Sequence, residues 1–331
     1  MRNVRRWGPG LLLVSPSIVL ILVFVFGLIG WNIKVSLSDW RSSVKSSNWA
    51  GLAAYRDLNS DPAWTENLHH ILLFTVTFIV GALLIGLTLA FLLEKGVRGE
   101  GFFRSVYLFP MAVSFIAAGV VWRWLMNPAP GDRSTGLNVV FDKLGVGFLG
   151  NQWYLGQNWG MSAMALPAIW ALSGYIMALF LAGFRGVPEE LREAARMDGA
   201  SEARVYRHVV FPYLRPVTLS ALIILGHISI KVFDLIVAIG GKQLITQTPA
   251  VYMWIQIYDA QDYAKGAAIA TLLLLGISVL IIPYLIYTVR SERNALRARR
   301  PRSRLRRSGR CGGAITVRCA SRSTRCWRSS S

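Results

Sequence analysis

Three ionisable side chains fall at helical spacing inside one apolar run: His227, Lys231 and Asp234, at i, i+4 and i+7. That spacing puts them on one face of a helix. Ionisable groups inside a bilayer are costly and mark functional positions by default. At about 1.5 Å per residue from Pro216, His227 falls near mid-membrane, with Lys231 and Asp234 nearer one surface. Lys231 and Asp234 can pair with each other locally or contact a polar solute. His227 can line a pathway or hydrogen-bond a neighbouring helix. Ser229 and Tyr175 are further pathway candidates, and Ser173, Thr75 and Thr77 offer hydroxyls that either bind solute or join helices.

A second concentration of polar groups lies in residues 188–216, PEELREAARMDGASEARVYRHVVFPYLRP, between two apolar runs. Pro188 suits the first position of a helix, and Glu189 and Glu190 complement its positive end. Leu191, Ala194 and Ala195 then share a face, where the two alanines admit close approach of another backbone. Arg192, Glu193 and Arg196 flank that face as potential partners for a docked protein. Asp198-Gly199 ends the helix, because glycine tolerates left-handed dihedrals. A second helix from about Ser201 carries Val205, Val209 and Val210; Pro212 breaks it and Pro216 opens the next run. An amphipathic helix resting on lipid is the alternative. The small alanine face fits a protein groove better.

Other chemistry is absent. No GxxxxGK[ST] run is present, so the chain has no phosphate-cradling loop for ATP. No HExxH, GxSxG or paired-cysteine motif occurs. The adjacent His69 and His70 project differently on a helix and make no metal site alone. Cys311, Cys319 and Cys326 are confined to the last part of the chain, at spacings that fit no common zinc pattern.

The elements that must position these groups are membrane spans. The 331 residues are 53% hydrophobic and 16% charged, with mean hydropathy +0.43. Six runs long enough for the bilayer core cover approximately 11–33, 68–93, 105–125, 159–184, 216–239 and 266–289. Arg2, Arg5 and Arg6 precede the first, but WNIKVSLSDW after it has no cleavage pattern, so it reads as a retained helix. With the N-terminus inside, segments 1–10, 94–104 and 185–215 hold 12 Lys and Arg in 52 residues. The opposite segments 38–66, 126–158 and 240–265 hold 7 in 88. The positive-inside rule therefore puts both termini and the 185–215 loop in the cytoplasm. Trp40, Trp49, Trp64, Trp153 and Trp159 fall on the outer side as interfacial anchors. The formal charge is +19, of which residues 290–331 carry +13, leaving +6 for residues 1–289. The charge thus belongs to the tail and does not call for a nucleic-acid partner.

Glu193-Ala194-Ala195, three residues, Gly199, nine residues, Val209, one residue, Phe211-Pro212 resembles the EAA signature loop of ABC importer permeases, with Val209 and Phe211 at the usual Ile and Leu positions. SLSDW, ENLHHILLFT, FFRSVYLFP, VVWRWLMNP and KVFDLIVAIGG narrow the resemblance to carbohydrate-uptake permeases of the maltose-transporter type, over roughly residues 9–292. TPAVYMW and YAKGAAIA point further to the glucose/mannose branch. GGKQLITQTP departs from the family's GGP run, with Lys242 in place of proline, and leaves the outer-loop geometry open.

The resemblance implies an all-α fold: a type I importer transmembrane domain of six helices with cytoplasmic coupling helices. It implies that Glu193, Ala194, Ala195, Asp198, Gly199, Val209 and Pro212 couple to an ATPase. Partners would be a second homologous permease, two ATPase subunits and an extracytoplasmic sugar-binding protein in the bacterial or archaeal plasma membrane. ATP and magnesium would bind the ATPases, and this chain would hold no cofactor and catalyse no reaction. A secondary transporter and a non-transporting scaffold are the competing readings. The first calls for buried carboxylates and inverted repeats that the spans lack; the second has no use for a docking helix.

In domain terms, residues 1–66 hold the N-terminal stub, first span and outer loop. Residues 67–289 form the transmembrane domain, and 290–331 a basic, disordered tail. The tail's abrupt Arg/Ser/Cys composition after Ala298 fits a shifted reading frame; attraction to anionic lipid is the alternative.

Overall fold

The computed structural model describes residues 13–298 except 47, 128, 130–132, 157 and 158. The described residues are mostly helical, with an isolated bridge between Ser38 and Trp49 but no strand. In chain order the helices are α1 (Leu13–Ser36), α2 (Ala53–Asn59), α3 (Pro62–Glu94), α4 (Glu100–Leu108), α5 (Phe115–Leu125), α6 (Leu137–Lys143) and α7 (Gly160–Arg185). Then follow α8 (Glu189–Met197), α9 (Glu202–Tyr213), α10 (Arg215–Ile230), α11 (Asp234–Gly240), α12 (Pro249–Tyr258) and α13 (Tyr263–Ala298). The chain divides into two compact units between Tyr284 and Leu285. Of the second, residues 285–298 are helical, so the stretch assigned to tail from residue 290 begins as helix. Residues 299–331, with the three cysteines, lie outside the described residues.

Four helices are long and apolar enough to span a bilayer, and two bent pairs bring the number to six. The third expected span, 105–125, is one of these pairs. Pro110 sits in a 3₁₀ turn over Phe109–Ala112, Val113 and Ser114 are extended, and the chain bends 96° between α4 and α5. The second bent pair joins the loop helix α9 to α10 at 59°, just before the fifth expected span, 216–239, which itself consists of α10 and α11 with residues 231–233 unwound between them.

α3 and α7 form the centre. Asp61 caps α3 by accepting the Ala63 N–H at 3.0 Å, and Pro62 supplies a first residue with no N–H to satisfy. α3 buries a row at four-residue spacing: Phe74, Phe78, Ala82, Gly86 and Ala90. Lipid tails are as apolar as leucine, so helices in a bilayer gain by close packing rather than by leaving water. The glycines show it: a Cβ on Gly86 would stand 2.6 Å from Ile176, and one on Gly81 2.5 Å from Ile169. A Cβ on Gly174 of α7 would run into the Tyr107 carbonyl of α4. Thr77 of α3 donates to Ser162 of α7 at 3.1 Å, so this hydroxyl joins helices. α1 is exposed along most of its length and is held to α13 by Asn32, which donates to the Ala267 carbonyl and the Thr271 hydroxyl.

The first residue of α3 lies at the end away from the α8–α9 loop. There Asp61 accepts from the Tyr252 hydroxyl of α12 and from Lys265 Nζ of α13 at 2.5 Å. Burial works against the charged Asp61 carboxyl. The bonds from Lys265, Tyr252 and the Ala63 N–H outweigh it and hold the group below the ordinary carboxylate value. His70 Nδ1–H donates to the Gln247 carbonyl at 3.0 Å, which gives this histidine a structural duty. Lys242, at the departure from the family run, follows Gly241 in a left-handed conformation (φ +66°). It pairs with Asp259 at 2.8 Å, 4.2 Å from the Trp254 ring centre, so this turn is pinned by charge rather than by proline.

Candidate functional site

Two sites emerge. The first is the loop helix α8. Its termination is a Schellman arrangement: the Gly199 N–H bonds the Arg196 carbonyl at 3.0 Å and the Ala200 N–H bonds the Ala195 carbonyl at 3.1 Å. Gly199 takes φ +78°, which a residue with a Cβ adopts only under strain. Glycine here is a consequence of the turn.

The exposed face differs from the expected one. Ala195 is half-buried and packs toward the core, as do Ala200, Tyr206 and Val209. Leu191, Ala194 and Met197, three residues apart, form the outward ridge, and Met197 is 88% exposed. Glu193 and Asp198 stand exposed beside it, and Glu193 has no ion-pair partner among the described residues. The flanking arginines are committed internally. Arg196 binds Glu202 at 2.8 Å and Glu189 at 3.1 Å, bracing the turn into α9; the Glu202 bond chiefly raises its already high pKa.

Arg192 points the other way. Its guanidinium meets Glu94 at the end of α3 at 2.7 Å and the Phe184 carbonyl at the end of α7 at 3.0 Å. Glu94 takes a further bond from the Tyr206 hydroxyl at 2.9 Å, and the Arg192 side chain lies over the Tyr206 ring. Both charged side chains are nearly enclosed, Arg192 at 12% and Glu94 at 9% exposure. Glu94 and Tyr206 escape a sequence reading, because Glu94 lies 98 positions from Arg192 and 112 from Tyr206. The only hint is an acid closing an apolar run. Arg185 Nη2 also donates to both carboxylate oxygens of Glu100, at 2.6 and 2.7 Å, between α7 and α4.

α9 runs on through Pro212 instead of breaking there. A π turn over Tyr206–Val210 lets the Phe211 N–H reach the Tyr206 carbonyl, and the ladder shifts where proline has no donor. Pro212 is half-buried, and the chain turns at Leu214.

The second site is a cavity of about 190 Å3 inside the bundle. Phe74 and Phe78 of α3, Phe115 of α5 and Ala168 of α7 wall it together with His227, Lys231, Phe233 and Asp234. The three ionisable groups are not on one continuous helix. α10 ends at Ile230, residues 231–233 are unwound, and α11 starts at Asp234. HISIKVFDLIV holds no glycine or proline, so nothing in it announces the break. Thr248 donates to the freed Val232 carbonyl at 3.3 Å. Unwound backbone at membrane depth persists only where protein or a cavity satisfies it.

The break still brings His227, Lys231 and Asp234 to one space. Lys231 and Asp234 are exposed and make no ion pair with each other, so of the two alternatives the local pair is not formed. His227 Nδ1 is buried without a partner. Ser229 is fully buried and donates to the Gly226 carbonyl of its own helix at 2.9 Å, outside the cavity lining. Tyr175 is half-buried against the core, and Ser173 bonds back to the Trp170 carbonyl; neither lines the cavity. No cluster of three metal-ligating side chains occurs among the described residues.

Comparison with known proteins fits this arrangement. Residues 82–294 match the family described as binding-protein-dependent transport system inner membrane component. A probable ABC transporter permease protein of Pyrococcus horikoshii is 40% identical over 284 residues, 85% of this chain and 96% of that protein. The xylose/arabinose import permease protein XacH of Haloferax volcanii is 32% identical over 87% of this chain and 88% of its own length. Among solved structures, a bacterial ABC transporter involved in the import of the acidic polysaccharide alginate superposes with a TM-score of 0.70. It is 17% identical and covers 88% of this chain and 98% of that one, a likeness of fold. The helical bundle, the signature loop and the relatives agree: this chain belongs to the binding-protein-dependent transport system inner membrane components, the membrane-embedded permease subunits of ABC importers.

Proposed function

We propose that this chain forms part of the translocation pathway of an ATP-driven sugar importer, with a second permease subunit completing it. The α8–α9 loop faces the cytoplasm, as do both termini, and α8 seats in a groove of a separate ATPase subunit. Two such ATPases bind ATP and magnesium; this chain supplies the surface they push on. An extracytoplasmic binding protein delivers sugar to the opposite face. The observation that carries this reading is the outward Leu191–Ala194–Met197 ridge on a helix otherwise clamped to the bundle. An apolar ridge on a rigid, charge-flanked mount suits a protein groove and offers too little apolar surface for lipid.

Sugar as the cargo is supported by relatives named for xylose/arabinose import in Haloferax volcanii and for glucose import in Saccharolobus solfataricus. The cavity suits that cargo. The half-buried rings of Phe115 and Phe233 can stack on C–H faces over a floor of buried Phe74 and Phe78, and His227, Lys231 and Asp234 offer hydrogen bonds to hydroxyls. ATP binding displaces α8, and the bundle exchanges an outward-open for an inward-open state.

The test is co-purification of the wild-type chain with an ATPase, followed by uptake of labelled xylose, arabinose and glucose. Glu193→Lys and Gly199→Asp should abolish uptake while the protein still inserts. Unchanged uptake in both would sink the reading.

A further inference from the structure

We propose that α3 is a rigid strut carrying the displacement of α8 past the cavity to the far end of the bundle, with Tyr206 and Tyr252 as positioning residues of its two clamps. The inference rests on the reading that α8 docks an ATPase.

α3 is a long helix with no proline beyond its first residue and no π stretch. Its 33 residues make a rod of about 50 Å, well beyond the bilayer core of about 30 Å. Each of the other spans carries a point of weakness. α1 holds a π stretch, α7 and α13 stay helical through Pro167 and Pro283, the third span bends by 96°, and the fifth is unwound at 231–233. A displacement entering any of those can be absorbed there. In α3 it cannot. Nor can α3 slide along α7, because Ile169 and Ile176 occupy the places where Gly81 and Gly86 lack a Cβ.

Both ends of the rod carry the same device. At the loop end Glu94 binds a cation, Arg192, and a tyrosine hydroxyl, Tyr206. At the far end Asp61 binds a cation, Lys265, and a tyrosine hydroxyl, Tyr252. Arg192 belongs to the docking helix and Tyr206 to α9; Lys265 and Tyr252 belong to α13 and α12. Between the clamps Phe74 and Phe78 form the cavity wall. A shift of α8 therefore reaches the cavity and the far clamp as one rigid-body step.

A claim of transmission needs evidence of coupling. The experiment uses the full complex with its ATPase, the tail cysteines Cys311, Cys319 and Cys326 replaced by serine, and an environment-sensitive fluorophore on Tyr258→Cys in α12. The probe is magnesium-ATP, titrated against the fluorescence change. Tyr206→Phe and Tyr252→Phe each remove one hydroxyl and keep the ring. Each should raise the ATP concentration for half the change about fivefold. The double variant should stay within about twofold of the worse single, whereas independent local defects so far apart would multiply to about 25-fold. A multiplied loss, or no shift in either single, overturns the strut. Should a Phe variant fail to assemble, Glu94→Gln and Asp61→Asn complete the same cycle. A wild-type chain that retains no ATPase overturns the docking reading and this one with it. A wild-type complex with multiplied losses overturns this one alone.

Discussion

Replacing Arg192 with leucine tests how the docking helix is mounted. The wild-type guanidinium offsets a Glu94 carboxylate that is 9% exposed and itself 12% exposed, at 2.7 Å. Removing one member of such a pair leaves an uncompensated charge and costs about 3–5 kcal/mol. Tyr206 still donates to Glu94, which argues for the lower end, about 3 kcal/mol. The Phe184 carbonyl also loses its donor. The penalty falls on a local opening of α8 from α3, because few other groups join them. At 1.4 kcal/mol per decade, the open form should rise roughly 150-fold. Trypsin reads this directly in inside-out vesicles, because Arg196, Arg204 and Arg207 are all exposed in the loop. Arg192→Leu should cut at these sites about two orders of magnitude faster. Glu94→Gln, which leaves an acceptor for one donor, should cost less, about 1–2 kcal/mol. Arg192→Leu with Glu94→Leu should recover much of the loss, because no buried charge remains. A double variant as labile as Arg192→Leu, or an Arg192→Leu variant as resistant as wild type, would refute the reasoning.

Gly199→Ala should destabilise the end of α8 by about 1 kcal/mol through its positive φ alone, since no atom lies within 4 Å of the added Cβ; hydrogen exchange at residues 195–200 reads this. Gly86→Val should insert yet lose the α3–α7 contact, because its Cβ would fall 2.6 Å from Ile176; a fall in thermal midpoint in detergent, larger than that of Gly276→Val with open space around it, is the check. Asp61 has a folded pKa below its ordinary value of 3.8. Its contribution is therefore complete above that value and is lost as pH falls through the lowered one. Asp61→Asn should unfold more readily at neutral pH and show a flatter loss as pH falls below 3.8 in an acid titration. His227→Ala and Phe233→Ala should lower sugar uptake with the ATPase still bound, and unchanged uptake in both would remove the cavity from the pathway.

The apolar runs were legible because a bilayer admits few structures, and the loop because charge between two spans has to be used elsewhere. Asp198-Gly199 announced its own turn. The bend at Val113–Ser114 had a visible cause in Pro110, yet the run FFRSVYLFPMAVSFIAAGVVW is apolar enough to read as one span. The break at 231–233 had no local cause; it is held by Thr248 and by the cavity it borders. The Arg192–Glu94 pair joins segments 98 positions apart, and periodicity within α8 could not tell which flank faced inward. For the same reason helical spacing puts Ala195 on the docking face and does not single out Met197, the most exposed of the ridge.

Attachment of a benzophenone crosslinker at Met197→Cys tests the central claim most directly. The purified complex would be irradiated and the captured protein sequenced by mass spectrometry. Capture of an ATPase bearing a phosphate-binding loop is the predicted result, with none from Val205→Cys, whose position is 1% exposed on the same loop. Uptake that persists with no ATPase captured at Met197, or capture of lipid alone, would contradict the account.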